Sequence, residues 1–180
     1  MENKIENKKG NYGIFFGMVG TSMILMYFLT YLNSFQILGH AWFSETRLFM
    51  TLIMGSVMAV VMLGFMRKMY RNRAVNIAIV VGAVVVFAAA LFLVRSQRTV
   101  TGVDYMEAMI PHHSIAILTS ERSQIVDPRV QELADEIILA QRREIKEMEW
   151  LIADIRENGI ARTEAEAGER PVPDFEASLE

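Results

Sequence analysis

The sequence predicts an all-α protein with three transmembrane helices, then an extracytoplasmic αα-hairpin and an acidic tail. Two observations support this prediction. Apolar residues make up 52% of the 180-residue chain, and most of them lie in three runs before residue 95. Amphipathic periodicity and nearly all acidic residues begin only after residue 103. The chain has no cysteine, which excludes disulfide frameworks, thiolate metal sites and thiol nucleophiles.

Three uncharged apolar runs are long enough to cross a bilayer. They cover residues 13–32, 48–66 and 75–94 and contain no Asp, Glu, Lys or Arg. A hydrocarbon core of about 30 Å requires about 20 apolar helical residues, so each run is predicted to be a transmembrane helix. No small-residue cleavage site follows the first run, and we interpret it as a retained anchor instead of a signal peptide.

Basic residues in the flanks predict the orientation of these helices. The N-terminal flank, residues 1–12, contains three lysines, and the hinge between the second and third runs contains four basic residues. These are Arg67, Lys68, Arg71 and Arg73. Basic flanks favour the cytoplasmic side, so we expect a cytoplasmic N-terminus and an external C-terminal domain. Arg95 and Arg98 follow the third run and oppose this orientation only weakly.

Small and soft residues within the runs have more than one interpretation. The second run carries a methionine at every fourth position, namely Met50, Met54, Met58, Met62 and Met66. A thioether stripe can pass Cu(I) along a helix, but packing between helices is the favoured role because no intramembrane His, Cys or acid accompanies it. Gly13, Gly17 and Gly20 of the first run permit close helix packing or dimerisation, and packing within the bundle is the favoured role.

Two amphipathic helices are predicted for residues 99–159. Either Thr101 or Asp104 caps the first helix, and Asp127 with the proline after it begins the second. Gly159 ends the second helix. A lone hairpin buries little apolar surface, so we expect two chains to complete a four-helix bundle as a homodimer. Support from the membrane part of the chain is the alternative.

The ends of this region are predicted from composition. The apolar stripe of the second helix runs from Val130 and Leu133 to Ile155. Residues 160–180 are rich in Glu, contain two prolines and have few apolar side chains. This composition predicts a disordered acidic tail.

Soft donor side chains share one predicted face of the first helix. At 100° per residue, an arc of about 120° holds four of them. These are Met106, Met109, His112 and His113. Folding about Ile125 places Met106 opposite Glu144, with Met148 at the same end. Thioether and imidazole donors suit Cu(I) and Ag(I); alternatively, the methionines fill a core and the histidines are its polar edge.

The same residues resemble a known family. The matching positions are Asp104, Tyr105, Met106, the run 109–113, Gln141, Glu144, Ile145 and Met148. Across roughly residues 103–153 they resemble the signature of the domain-of-unknown-function family numbered 305. Its members resemble small ferritin-like helical bundles of bacteria, often exported or membrane-anchored, and some are implicated in binding copper or silver. The resemblance implies the metal ligands Met106, Met109, His112, His113 and Met148, with Glu144 as a ligand or as support for a histidine.

The resemblance therefore favours a bacterial inner-membrane protein whose external domain binds Cu(I) or Ag(I) for copper homeostasis or tolerance, with hand-over to a metal-transfer partner. The alternative is a membrane-anchored oligomerising scaffold without metal. We expect no enzyme, because neither histidine follows a Glu by three residues as in di-iron bundles. We expect no nucleic-acid partner, because the basic residues cluster at the membrane surface.

Overall fold

The computed structural model describes residues 11–179, which form two compact units. The N-terminal unit comprises the residues up to Thr30 together with Thr46–Thr99. The C-terminal unit comprises Tyr31–Glu45 and Val100–Glu180. All regular elements of the described residues are α-helices, which confirms the predicted all-α class. The three lysines of the N-terminal flank lie outside the described residues.

The N-terminal unit is built from α1 (Tyr12–Leu29), α2 (Glu45–Phe65) and α3 (Arg73–Ser96). Each helix is long and apolar enough to cross a membrane, as predicted. The side chains of Asn11 and Asn72 cap α1 and α3 by accepting hydrogen bonds from backbone N–H groups. α1 ends before residue 32 because the chain after Thr30 folds into the C-terminal unit.

A small apolar core holds the N-terminal unit together. It consists of the buried residues Phe15, Val19, Leu63, Tyr70 and Ile79. The stripe methionines Met58, Met62 and Met66 pack against this core, whereas Met50 and Met54 are exposed. The three C-terminal methionines of the stripe therefore contribute to helix packing.

Close approach between helices occurs at Gly55 of α2. A Cβ at that position would collide with the side chain of Met23 on α1. A Cβ at Gly17 or Gly20 would meet nothing within 4 Å. The prediction that the α1 glycines pack closely within this unit is therefore wrong for Gly17 and Gly20. The glycine at the close contact is Gly55 of α2, and α1 contributes the side chain of Met23.

The C-terminal unit is built from α4 (Gly102–Arg122), α5 (Pro128–Asn158) and the short α6 (Glu164–Glu169). Thr101 and Asp104 cap α4 together in a capping box, so both candidates take part. Asp127 caps α5, and Gly159 ends it at φ 80°. α4 and α5 enclose the core of the unit, formed by Met106, Ile110, Ile117, Ile138, Ile145, Met148 and Ile152.

The register between α4 and α5 differs from the prediction. Folding about Ile125 would place Glu144 opposite Met106, but Glu144 instead contacts His113. The reason lies in the connection between the helices. Its backbone is extended both at Ser123, where α4 ends, and at Asp127, where α5 begins. The connection therefore carries the chain past the end of α4 before α5 begins.

The first turns of α5 consequently lack a partner on α4. Val130 and Leu133, which the sequence assigns to the buried stripe, are 48% and 55% exposed. Val126 in the connection is 91% exposed. The described residues of the unit thus leave a small apolar surface at this end of the helix pair.

The segment after α5 is more regular than its composition predicts. α6 occupies part of the predicted disordered tail, and Arg170 forms an ion pair with Asp154 at 2.6 Å. Farther along, Lys146 Nζ donates to the carbonyl oxygen of Glu176 at 2.7 Å. Hydrogen bonds and ion pairs along α5 thus supply the order that apolar burial does not.

Candidate functional site

His113 lies at the centre of the candidate site, with 8% of its surface exposed. Its Nδ1 atom is 2.9 Å from the carbonyl oxygen of Met109, and its Nε2 atom is 2.7 Å from Oε2 of Glu144. A carbonyl oxygen only accepts hydrogen bonds, so Nδ1 carries a proton and donates it. Nε2 is hydrogen-bonded to the Glu144 carboxyl group, so both ring nitrogens have partners within the protein.

Three methionines accompany this histidine. Because His113 faces Glu144 across antiparallel helices, Met109 and Met148, each one turn away, come to about the same level. Met106 and Met148 are buried in the same core, and Met109 packs against it. We call Met106, Met109, His113 and Met148 the soft-donor cluster. The register that corrects the predicted pairing is thus the one that brings Met109 and Met148 to a common level.

His112 does not share this environment. Its side chain is exposed, and its ring centroid lies 6.1 Å from that of His113 with 66° between the ring planes. Successive residues on a helix point about 100° apart, so the burial of His113 turns His112 toward solvent. Of the two histidines on the predicted face, the structure therefore buries His113 and leaves His112 exposed.

Oxygen and nitrogen donors alone do not form a metal centre here. Among residues 11–179, no three His, Asp or Glu side chains lie together in a way that could hold an ion. Glu144 stands next to His113 and keeps 40% of its side chain exposed. The further donors near His113 are thioethers, which are ligands for soft ions such as Cu(I).

Sequence reasoning missed the third histidine, His40, which lies in the segment between α1 and α2. His40 is 7% exposed, and its Nδ1 atom is 2.8 Å from Oγ of Ser114 on α4. The same hydroxyl oxygen accepts the backbone N–H of Phe35 at 2.7 Å. The hydroxyl group still has its proton and a second lone pair for the hydrogen bond with Nδ1. Burial lowers the pKa of His40, which favours its neutral form.

Two more unpredicted interactions fix residues 31–45 on α5. The guanidinium of Arg142 lies 5.6 Å from the ring centroid of Phe35, and that of Arg156 lies 5.6 Å from the ring centroid of Trp42. Arg156 also pairs with Glu107 of α4, which is buried. No local sequence pattern predicts these contacts, because more than a hundred residues separate each arginine from its aromatic ring.

A cavity of about 400 Å³ opens beside His40. Arg142, Lys146 and Glu149 of α5 line it. Burial raises the pKa of Glu149. The cavity is therefore a mixed-charge space and holds no donor of the soft-donor cluster.

Comparisons with known proteins agree with the resemblance found in the sequence. Residues 102–174 match the family model described as domain of unknown function (DUF305), so the match extends beyond α5 and past α6. An uncharacterized protein of Acanthamoeba polyphaga mimivirus is 38% identical over 64 residues, which are 34% of this chain and 42% of the viral protein. The chain thus spans less than half the length of this relative. No solved structure matches the chain.

Proposed function

We propose that this chain, which carries a DUF305 domain at residues 102–174, is a membrane-anchored protein that binds Cu(I) or Ag(I) through that domain. The role is sequestration or hand-over of the soft ion, in the service of copper homeostasis or tolerance in a bacterium. The observation that carries the proposal is the burial of His113 at the level of Met109 and Met148, with Met106 in the same core.

The surface of the N-terminal unit supports the membrane anchor. Phe28, Val84 and Phe92 are between 55% and 65% exposed, although they lie on long apolar helices. Water would penalise such a contiguous apolar surface, whereas lipid would not.

The two chain segments that form the C-terminal unit support its placement on one side of the bilayer. Residues 31–45 join the first two helices, and residues 100–180 follow the third. Three successive crossings put these two segments on the same side, and both belong to one compact unit. We propose that this side is external, as the basic hinge at residues 67–73 favours.

The hydrogen bonds of His113 indicate which atom would bind the ion. Metal-bound histidines usually donate their second ring N–H to a carbonyl or carboxylate, which fixes the ring. The bond from Nδ1 to the Met109 carbonyl has this form, leaving Nε2 as the ligand atom. The ion would then replace Glu144 as the partner of Nε2.

Titration of the full-length protein in detergent against a competing chelator tests this proposal. Wild type is expected to bind one Cu(I) or Ag(I) per cluster, and His113→Ala and Met148→Leu are expected to weaken binding at least tenfold. Lys146→Gln, an exposed position on the same helix, is the matched control and should leave affinity unchanged. Equal affinity in all four proteins would overturn the metal proposal.

The scaffold alternative is favoured by one observation, the complete hydrogen bonding of His113 without a metal. In that function the His113–Glu144 pair fixes the helix register. The exposed Val126, Val130 and Leu133 would then join two chains into the predicted homodimer. A dimer that forms equally well with and without metal and dissociates in Leu133→Glu would support the scaffold alone.

A further inference from the structure

The hinge between α2 and α3 forms a second region of interest, which has no role in the proposed binding of a soft ion. A cavity of about 840 Å³ opens there, within the N-terminal unit. One end of the cavity is basic and is lined by Arg67, Arg71 and Arg73. The other end is apolar and is lined by Val60, Leu63, Ile77, Val80 and Val81.

The basic end of the cavity has no counter-charge among the described residues of its own unit. The described residues of the N-terminal unit contain no Asp or Glu. Arg71 uses its Nε atom to donate to the carbonyl of Lys68 at 3.2 Å, which holds the side chain near the cavity. Three guanidinium groups around one cavity, with no carboxylate among the described residues of the unit, favour an anionic occupant.

The floor of the cavity is held by a polar network. Tyr12 Oη donates to Oδ1 of Asn76 at 2.7 Å, and Asn76 Nδ2 donates to the carbonyl of Tyr70 at 2.9 Å. The Tyr70 ring is 1% exposed and lies against the rings of Tyr12 and Phe15, at centroid distances of 5.0 Å and 5.3 Å. These contacts join α1, the hinge and α3, so the cavity is fixed in place before any ligand binds.

The apolar end identifies the occupant as an amphiphile. Ile77 and Val81 are 53% and 55% exposed, and they extend the wall away from the arginines along α3. A free phosphate would leave this wall uncovered, whereas an acyl chain would cover it. We propose that the cavity binds an anionic phospholipid, whose phosphodiester contacts the arginines and whose acyl chain lies along Val80 and Val81.

This inference rests on the membrane placement proposed above and goes beyond the function of the DUF305 domain. Positive charge at a hinge also sets topology, but topology alone requires no cavity. Gly64 separates the two roles. It lines the cavity, and a Cβ there would meet nothing within 4 Å, so a larger side chain fills the space without removing any charge.

Native mass spectrometry of the full-length protein in a non-ionic detergent tests the proposal. We expect phosphatidylglycerol to be retained at least tenfold better than phosphatidylcholine with the same acyl chains. Gly64→Leu should abolish this preference, and Arg67→Gln/Arg73→Gln should weaken phosphatidylglycerol binding about 30-fold. The matched controls are Gly20→Leu in α1 and the two-charge variant Arg95→Gln/Arg98→Gln at the C-terminal end of α3, and both should bind like wild type.

Three outcomes would overturn the lipid site. They are equal retention of the two lipids, full binding by Gly64→Leu, and displacement of phosphatidylglycerol by inorganic phosphate at equal concentration. Extraction of the chain from cell membranes supplies the separate test of the anchor. If detergent is required for extraction but lipid binding fails, only the lipid site is lost; if alkaline carbonate alone releases the chain, the membrane placement fails as well.

Discussion

The two units of the chain distribute apolar side chains in opposite ways. In the N-terminal unit, Val84 and Val85 are each 60% exposed, and a polar network joins α1, the hinge and α3. In the C-terminal unit, Ile110 and Ile152 are at most 1% exposed, and charged side chains form ion pairs around them. Helices that are apolar on all sides suit lipid, whereas striped helices suit water on one face. The two units are therefore stabilised in different surroundings, and a substitution in one unit is expected to change the stability of that unit alone.

The largest effect is expected when the core of the C-terminal unit is emptied. Ile110→Ala should destabilise this unit by about 2–5 kcal/mol, because truncation leaves a cavity between α4 and α5. Both tryptophans of the chain, Trp42 and Trp150, belong to this unit, so thermal unfolding followed by tryptophan fluorescence reports on it alone. Ile160→Ala, at a position that is 65% exposed, is the control, and an equal loss in both variants would contradict the assigned core.

The next effect concerns the N-terminal unit only. Gly55→Leu should destabilise helix packing by about 1–3 kcal/mol, because its side chain would have to displace Met23. Loss of helical circular dichroism on heating in detergent measures the effect, with tryptophan fluorescence at low temperature unchanged. Gly17→Leu should be as stable as wild type. If Gly17→Leu destabilised the unit and Gly55→Leu did not, the close contact would involve Gly17 and not Gly55.

Removal of the partner of His113 should act in opposite directions on stability and on metal affinity. Glu144→Ala leaves the buried Nε2 without its hydrogen-bond partner, which should cost about 1–3 kcal/mol in the apo protein. The same change removes a competitor for Nε2, so Ag(I) affinity should rise. Glu147→Ala, which breaks only the Arg143 pair on the helix surface, should do neither. A fall in both quantities would assign Glu144 to the metal as a ligand.

The smallest effect is a pH dependence from His40. Because burial lowers its pKa below the ordinary value of 6.5, the unfolded chain takes up this proton more readily than the folded one. The stability of the C-terminal unit should therefore decrease as pH falls below about 6.5 and be unaffected by His40 above it. The difference between wild type and His40→Gln, followed by tryptophan fluorescence, isolates this contribution; identical pH profiles would contradict it.

Much of the fold could be predicted because its signals are local. Uncharged apolar runs predict α1 to α3, and the caps at Asp127 and Gly159 fall where the sequence places them. The helix register could not be predicted, because it depends on the extended connection after Ser123. Neither could the docking of His40 on Ser114, which joins positions 74 residues apart.

The candidate site was predicted in part for the same reason. Helical periodicity places Met106, Met109 and His113 on one face, but an arc of about 120° is too wide to decide which of two adjacent histidines turns inward. The structure buries His113 and exposes His112. The family match at residues 102–174 covers all of these positions and says nothing about which of them binds an ion.

The central claim is that thioethers of the C-terminal unit bind a soft ion together with His113. X-ray absorption spectroscopy at the copper edge, on the full-length protein loaded with Cu(I), tests it most directly. We predict sulfur neighbours together with one imidazole nitrogen, and loss of the sulfur signal in the triple variant Met106→Leu/Met109→Leu/Met148→Leu. A spectrum with only nitrogen and oxygen neighbours, or one that the triple variant reproduces, would contradict the account.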